Sequence, residues 1–344
     1  MHLYLIQSPL QAINAFEARS AIADGEARHE VIVFEQKEAQ NNVLLANTLR
    51  TLGWPVWCTV PFRAGNVGKM WEWVRLRASL NGLRGVRRCY IGNYAAGMAV
   101  AAANLFPEAE HYLLDDGTST INFPAFRYEG RRPEHLPAAK SVPLLRYDTR
   151  LPEALTFFSI YDVGVRLPDE ARRNHLTFLQ NSLQLDPDGP VFFIGSCLPD
   201  VEVISFEQFF QLFRAVRQWL GEREIVYFPH RRELLDRKRD FFRELGVRLA
   251  QPDLPFELEM VHGAAKPSVV ATFYSTALDT LRIISQGHRG GLLAFHVPED
   301  WIKTDAHRDI ARKSYADYRA SAEVEVIQDY FPGAVSPLTT GALR

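Results

Sequence analysis

The feature that most constrains the fold of this chain is an alternation of short apolar runs with longer helical patterns, which occurs twice. In the first half, apolar runs rich in strand-forming residues alternate with amphipathic or alanine-rich segments. The strand candidates are residues 2–6, 30–34, 55–60, 88–91 and 111–114, and the helix candidates are residues 10–20, 42–52, 71–82 and 95–105. Such alternation predicts a parallel sheet covered by helices on both faces.

The second alternation begins after a cluster of turn residues at 185–190. Its strand candidates are residues 191–194, 224–228, 247–249, 268–273 and 291–295, and its helix candidates are residues 205–220, 232–245, 276–286 and 305–320. Between the two alternations, residues 123–152 are predicted to be irregular and residues 157–161 to form a strand. We therefore predict an α/β protein of two Rossmann-like domains, whose parallel sheets face each other across a cleft. The predicted N-terminal domain comprises residues 1–185, the predicted C-terminal domain comprises residues 186–320, and residues 321–344 are predicted to form a C-terminal tail.

Composition excludes several classes of protein. A length of 344 residues favours two domains. Lysine and arginine sum to 39 and aspartate and glutamate to 41, a net charge of −2 that argues against a nucleic-acid partner. Three separated cysteines favour neither a disulfide framework nor a zinc site. With no long apolar run and no signal-peptide pattern, we expect a cytoplasmic protein.

Four polar clusters follow predicted strands, and ligands of such sheets bind beyond the carboxyl ends of the strands. They are Gln7-Ser8-Pro9-Leu10-Gln11, Asp115-Asp116-Gly117-Thr118, Pro229-His230-Arg231-Arg232-Glu233 and Tyr274-Ser275-Thr276. Taken singly, each of the last three is explained as well or better by a turn or a helix cap. Taken together, they supply a carboxylate base, an imidazole acid and an anion site at a helix N-terminus. The combination therefore favours an active site that both domains build.

Phosphate-loop, dinucleotide-binding, serine-hydrolase and zinc-protease signatures are absent from the sequence. The one Asp-x-Asp motif, Asp186-Pro187-Asp188, lies in the turn cluster, where proline and the following glycine favour a turn over a metal site. We therefore expect no metal and no cofactor.

The chain resembles the bacterial sialyltransferases, and it is most similar to the α-2,8-polysialyltransferase-like family of capsule and lipooligosaccharide glycosyltransferases. The resemblance spans roughly residues 1–300 and rests on short motifs. These are Ser8-Pro9-Leu10-Gln11, Tyr90-Ile91-Gly92-Asn93-Tyr94, Asp115-Asp116-Gly117, Phe157-Phe158-Ser159-Ile160-Tyr161, Pro229-His230-Arg231-Arg232-Glu233, Pro255-Phe256-Glu257 and Phe273-Tyr274-Ser275-Thr276-Ala277-Leu278. Many relatives carry His-Pro where this chain has His230-Arg231, which leaves the subfamily and the sugar open.

The resemblance implies a GT-B fold and inverting, metal-independent transfer of sialic acid from CMP-sialic acid to a glycan hydroxyl. Asp116 would be the general base, with Asp115 as the fallback, and His230 would be the general acid facing the CMP phosphate. Ser275 and Thr276 would contact the phosphate, and Glu257 would contact the ribose or the cytosine. Gly195, Ser196 and Arg231 would border the nucleotide. Ser8, Gln11 and Asn93 would lie on the acceptor side. The expected partners are the CMP-sialic acid donor and a glycan acceptor.

Other functions stay open at this point. The donor is alternatively another CMP-nonulosonate, Kdo or a UDP-hexose, and a second class of function is a nucleotide- or glycan-binding protein without turnover. The segment 63–88 concentrates basic residues around Trp71 and Trp73. It is interpreted as a solvated helix face in preference to a contact with anionic lipid at the inner membrane or with an acidic acceptor.

Overall fold

A computed structural model describes residues 1–22, 27–117, 119–130, 138–230, 233–275, 277–286 and 291–331. The chain divides into two compact units. The first comprises Met1–Phe178 and Asp253–Pro255, and the second comprises Leu179–Pro252 and Phe256–Arg344. The division at residue 178 precedes the turn cluster at 185–190, where the sequence analysis put the boundary.

The first unit is built on a seven-stranded parallel sheet with the strand order β3-β2-β1-β4-β5-β8-β9. Its elements, in chain order, are β1 (His2–Ile6), α1 (Pro9–Ile22), β2 (His29–Phe34), α2 (Ala39–Thr51), β3 (Val56–Val60), α3 (Asn66–Leu80), β4 (Arg88–Ile91), α4 (Gly97–Ala103), β5 (Glu110–Leu114), α5 (Ser119–Glu129), β6 (Ser141–Val142), β7 (Tyr147–Asp148), β8 (Thr156–Ser159) and β9 (Glu170–Arg173). The order reverses between β1 and β4, so that the loops after these strands diverge at a topological switch point.

Three tyrosines show how register builds the first core. Tyr4 on β1 pairs with Tyr90 on β4, which in turn pairs with Tyr112 on β5. In-register parallel strands place these rings on one face of the sheet, where they stack with centroid separations of 4.5 and 4.8 Å. Tyr4 and Tyr90 are completely buried. The stacked rings fix the register of the three central strands, and with it the positions of the loops that follow them.

The second unit carries a six-stranded parallel sheet with the strand order β12-β11-β10-β13-β14-β15. The helix α6 (Thr177–Ser182) spans the division between the units, and the later elements are β10 (Val191–Ile194), α7 (Phe206–Leu220), β11 (Ile225–Phe228), α8 (Arg239–Glu244), β12 (Arg248–Leu249), α9 (Phe256–His262), β13 (Val269–Thr272), α10 (Ala277–Ile284), β14 (Leu292–Phe295), α11 (Asp305–Arg319) and β15 (Val324–Ile327). Here the order reverses between β10 and β13. The prediction of two Rossmann-like parallel sheets in an α/β fold is confirmed.

Some elements differ from the sequence-based prediction. The region expected to be irregular contains the C-terminal part of α5 and the small antiparallel pair β6–β7, and Pro124 lies inside α5. The strand β9 has the sequence Glu-Ala-Arg-Arg and is exposed throughout, so no apolar run marked it. The strand β15 lies in the segment assigned to a C-terminal tail, but it pairs with β14 as the sixth strand.

The helix expected over residues 232–245 is shorter. Leu235–Arg237 form a single 3₁₀ turn, and α8 begins only at Arg239. The residue between these two pieces, Lys238, is completely buried. The contacts that Lys238 makes inside the unit therefore determine the path of the chain between the 3₁₀ turn and α8. In the described part of the chain, no helix is both long and apolar enough to span a bilayer.

Candidate active site

The adjacent residues Asp115 and Asp116 follow β5 but have different environments. Asp115 is 2% exposed, and its carboxylate accepts hydrogen bonds from Ser159 Oγ at 2.6 Å and from the Ile160 backbone N–H at 2.7 Å. Its backbone carbonyl accepts a hydrogen bond from Asn14 Nδ2 at 3.1 Å. Burial raises the pKa of the Asp115 carboxyl to about 6, although the hydrogen bonds oppose that shift. Asp115 thus ties β5 to the end of β8 and to α1.

The Asp116 carboxylate is half-buried and is held by Asn93. Asn93 Nδ2 donates a hydrogen bond to Asp116 Oδ2 at 2.8 Å, while Asn93 Oδ1 accepts one from the Ala95 backbone N–H at 2.7 Å. Gly117, the next residue, has φ of +64°, a left-handed conformation that glycine adopts without strain. A carboxylate that is accessible yet oriented by a fixed amide suits proton transfer. Of the two aspartates, Asp116 therefore has the environment of a general base.

Gln11 lies at the switch point of the first sheet. The Gln11 side chain is completely buried, and its Oε1 accepts a hydrogen bond from the Gln7 backbone N–H at 2.8 Å. A Cβ atom on Gly92 would lie 2.3 Å from that oxygen, so the glycine after β4 makes room for the amide. Gln11 Nε2 has no hydrogen-bond partner among the described residues. Ser8 caps α1, since its Oγ accepts a hydrogen bond from the Gln11 backbone N–H at 3.3 Å.

A cavity of about 760 Å³ lies within the first unit, at the carboxyl ends of its central strands. Aromatic side chains line part of it, and among them are Phe34, Tyr94 and Phe126. Lys69 and Lys140 also line it, and neither forms an ion pair with any residue that the structure describes. Burial raises the pKa of Tyr94, and the nearby Asp116 carboxylate raises it further. The cavity therefore combines ring faces with cationic groups on the side of the sheet where Asp116 lies.

In the second unit, a buried ion-pair network lies beneath His230. The His230 backbone N–H donates to Glu233 Oε1 at 2.9 Å, and Glu233 Oε2 accepts hydrogen bonds from Tyr227 Oη at 2.8 Å and Lys238 Nζ at 2.6 Å. Lys238 Nζ also donates to Asp200 Oδ2 at 2.7 Å. The side chains of Lys238 and Glu233 are 0% exposed, and that of Asp200 is 2% exposed. We call Asp200, Tyr227, Glu233 and Lys238 the Lys238 network.

The Lys238 network reaches the loops after two strands. Asp200 Oδ1 accepts a hydrogen bond from the Leu234 backbone N–H at 2.8 Å, which fixes the chain that follows His230. A Cβ atom on Gly195 would lie 2.0 Å from Glu233 Oε1 and 2.9 Å from the His230 backbone nitrogen. Glycine is therefore required at position 195, where the loop after β10 touches the loop after β11. Burial raises the pKa of the Glu233 carboxyl, and Lys238 opposes that shift.

The candidate nucleotide residues follow neighbouring strands of the second sheet. Ser196 follows β10 and is buried, and its Oγ has no hydrogen-bond partner among the described residues. Ser275 precedes α10, and its Oγ accepts a hydrogen bond from the Ala277 backbone N–H at 3.3 Å. Tyr318 Oη accepts from the backbone N–H of Ser275 at 3.2 Å and donates to its carbonyl at 3.0 Å, so α11 anchors this loop. The carboxyl ends of β11, β10 and β13 thus bring His230, Ser196 and Ser275 to one edge.

The other predicted residues have mixed placements. Glu257 is half-buried in the first turn of α9, and burial raises the pKa of its carboxyl. Arg231 and Thr276 lie outside the described residues. Sequence reasoning missed Lys238 and Asp200, because Lys238 looks like one of many surface charges in residues 232–245 and Asp200 belongs to no recognisable motif. Within the described ranges, no three His, Cys, Asp or Glu side chains group in a way that would hold a metal ion.

Comparison with known proteins places the fold. No protein-family model and no curated protein sequence matches the chain. Among solved structures, UDP-GlcNAc 2-epimerase from Methanocaldococcus jannaschii matches with a TM-score of 0.56 and 11% identity, over 95% of this chain and 89% of that one. A further UDP-N-acetylglucosamine 2-epimerase matches with a TM-score of 0.51 and 13% identity, over 86% of this chain and 78% of that one. The GT-B domain of a Photobacterium damselae sialyltransferase matches with a TM-score of 0.44 and 11% identity, over 95% of this chain and 100% of that one.

The two parallel sheets and the likeness to the two epimerases define the chain as an α/β protein of the GT-B fold.

Proposed function

We propose that this protein is an inverting glycosyltransferase that moves sialic acid from CMP-sialic acid to a hydroxyl group of a glycan. The observation that carries the proposal is the anchoring of its two candidate acid–base residues at the carboxyl edges of their sheets. Asn93 orients the Asp116 carboxylate in the first unit, and the Lys238 network fixes the backbone of His230 in the second. The resemblance of the surrounding motifs to bacterial sialyltransferases supplies the choice of donor.

In the proposed reaction, the acceptor hydroxyl oxygen forms a bond to the anomeric carbon as Asp116 takes up its proton. The bond from that carbon to the phosphate oxygen of CMP breaks, and His230 donates a proton to the departing phosphate. Because the transition state resembles an oxocarbenium ion, a base on one side and charge neutralisation on the other both lower its free energy. A monophosphate leaving group can depart with a proton and hydrogen bonds alone, so the proposed transfer needs no metal.

We assign the donor to the second unit and the acceptor to the first. Ser196 and the Ser275 loop lie at the sheet edge beside His230, where hydroxyl and amide groups can bind a phosphate. In the first unit, the 760 Å³ cavity is large enough for one or two sugar rings and presents Tyr94 close to Asp116. The proposal also assigns Ser8, Gln11 and Asn93 to the acceptor side. Ser8 and Gln11 lie in the segment that follows β1, and Asn93 contacts Asp116.

The test combines nucleotide binding with turnover. CMP is expected to raise the melting temperature of the full chain more than UDP or GDP does, because a ligand that binds only the folded state stabilises it. Asp116→Ala and His230→Ala are each expected to lower kcat for release of CMP from CMP-sialic acid by about 10²–10⁴-fold. The matched controls, Asp188→Ala and His175→Ala, remove exposed residues and are expected to leave kcat unchanged.

Other outcomes decide between the alternatives. A larger increase in melting temperature with UDP than with CMP would favour a UDP-sugar donor. The solved structures of similar fold include UDP-GlcNAc 2-epimerases, which act on a UDP-sugar. If CMP raises the melting temperature but the protein turns over only another CMP-nonulosonate or CMP-Kdo, the assigned sugar is different and the assigned roles of Asp116 and His230 remain. Binding without any turnover would indicate a nucleotide-binding protein. Full activity in either alanine variant would contradict the assigned roles.

A further inference from the structure

Helix α3 has two apolar faces, of which only one packs on the protein core. Trp73, Leu76 and Leu80 are buried against the first sheet. Val67, Trp71 and Val74 lie four and three residues apart on another face of the helix, and they are 87%, 63% and 41% exposed. A contiguous row of large apolar side chains on a protein surface marks an interaction site.

The chain segment that carries this row is rich in basic residues. The segment 63–88 contains seven lysine and arginine residues and a single acidic residue, Glu72, which gives a formal charge of +6 in a chain whose net charge is −2. The Glu72 carboxylate is buried and accepts hydrogen bonds from Arg63 and Arg75, both at 3.1 Å. Arg75 lies on α3 and Arg84 follows its end, and both are exposed.

We propose that this surface, the α3 face (Val67, Trp71, Val74, Arg75 and Arg84), docks onto an anionic lipid bilayer. A row of apolar side chains beside basic residues lets a helix lie in the membrane interface, with its rings among the acyl chains and its cations at the headgroups. A second copy of this chain would bring its own basic surface against the first, and the repulsion between like charges disfavours such a dimer. The docking is independent of the proposed transferase reaction.

The test uses the full chain and phospholipid vesicles. We expect at least about tenfold stronger partitioning onto phosphatidylcholine vesicles that contain about one-third phosphatidylglycerol than onto phosphatidylcholine alone, with a blue shift of tryptophan emission. Trp71→Ser is expected to weaken partitioning by about tenfold and to abolish the emission shift. Arg75→Gln/Arg84→Gln is expected to weaken partitioning by about ten- to thirtyfold, because each basic side chain near an anionic surface contributes about fivefold.

Matched variants separate this surface from general stickiness. Ile310→Ser removes a 54% exposed apolar residue from α11, and Arg239→Gln/Arg243→Gln removes two exposed arginines from α8. Both are expected to partition like the unmodified protein. Equal partitioning of the Trp71 variant and the unmodified protein would overturn the proposal. So would the absence of vesicle binding together with a dimer, measured by light scattering, that Trp71→Ser dissociates.

Discussion

At the scale of single residues, the adjacent side chains Asp115 and Asp116 show that position after a strand does not assign a role. Both follow β5, and either can be a base on sequence grounds. The Asp115 carboxylate is buried and accepts hydrogen bonds from Ser159 and Ile160, whereas Asp116 is half-buried and its carboxylate accepts a hydrogen bond from the oriented amide of Asn93. The hydrogen-bond partners of the two carboxylates therefore distinguish their roles, and for Asp115 the partner Ser159 lies 44 residues further along the chain.

The buried carboxyl of Asp115 predicts a pH dependence of stability. Its folded-state pKa of about 6 lies above the ordinary value of 3.8, so the native state binds more protons than the unfolded state between these values. The free energy of unfolding should therefore fall as pH rises from about 4 to about 6, by about 3 kcal/mol from this group. Urea unfolding of the unmodified protein and of Asp115→Asn across this range measures the difference. A constant difference between the two proteins would contradict the prediction.

At the scale of elements, the loop after β11 takes its shape from the Lys238 network rather than from local preference. A charged stretch at residues 232–245 resembles a solvated helix, and the structure instead breaks it at Lys238. Burying an ammonium group is tolerated only when carboxylates and hydrogen bonds compensate, and Asp200 and Glu233 do so here. The loop that presents His230 is therefore held by three charges in the interior of the unit.

Substitutions in this network should separate stability from catalysis. Lys238→Met leaves two buried carboxylates without their cation, and we expect it to lower the free energy of unfolding by about 3–5 kcal/mol. Its control, Lys303→Met, removes an exposed lysine and should change stability by less than about 0.5 kcal/mol.

Gly195→Ala adds a methyl group 2.0 Å from Glu233 Oε1 and is expected to displace the His230 loop. We expect it to lower kcat by about tenfold or more and to shift the pH profile of kcat, while CMP still raises the melting temperature. An unchanged kcat and pH profile in Gly195→Ala would show that the network does not position His230.

At the scale of the whole molecule, the two units share one topology, although the sequence contains no internal repeat. Both sheets are entirely parallel, and in both the order reverses beside the first strand of the unit, at β1/β4 and at β10/β13. Because loops diverge at such a reversal, each unit has its own crevice at the carboxyl edge. The crevice of the first unit is the 760 Å³ cavity, and that of the second carries Ser196, His230 and Ser275.

This division predicts which backbone amides each substrate protects. In hydrogen exchange of the full chain, CMP should slow exchange in the loops after β10, β11 and β13. A sialylated glycan acceptor should instead slow exchange in the loops after β3 and β4, which line the cavity of the first unit. Protection of the cavity by CMP, with none in the second unit, would reverse the proposed assignment of donor and acceptor.

The sequence by itself determined the class of fold, because the periodicity of apolar residues is a local property that selects strands and helices before any tertiary contact forms. It also determined that polar residues follow β1, β5, β11 and β13. It did not reveal the exposed strand β9 or the strand β15 in the supposed tail. Tertiary structure alone decided that Asp115 is an anchor, that Gly92 makes room for Gln11 and that Lys238 is buried. Each depends on partners far along the chain, which only folding brings within hydrogen-bonding distance.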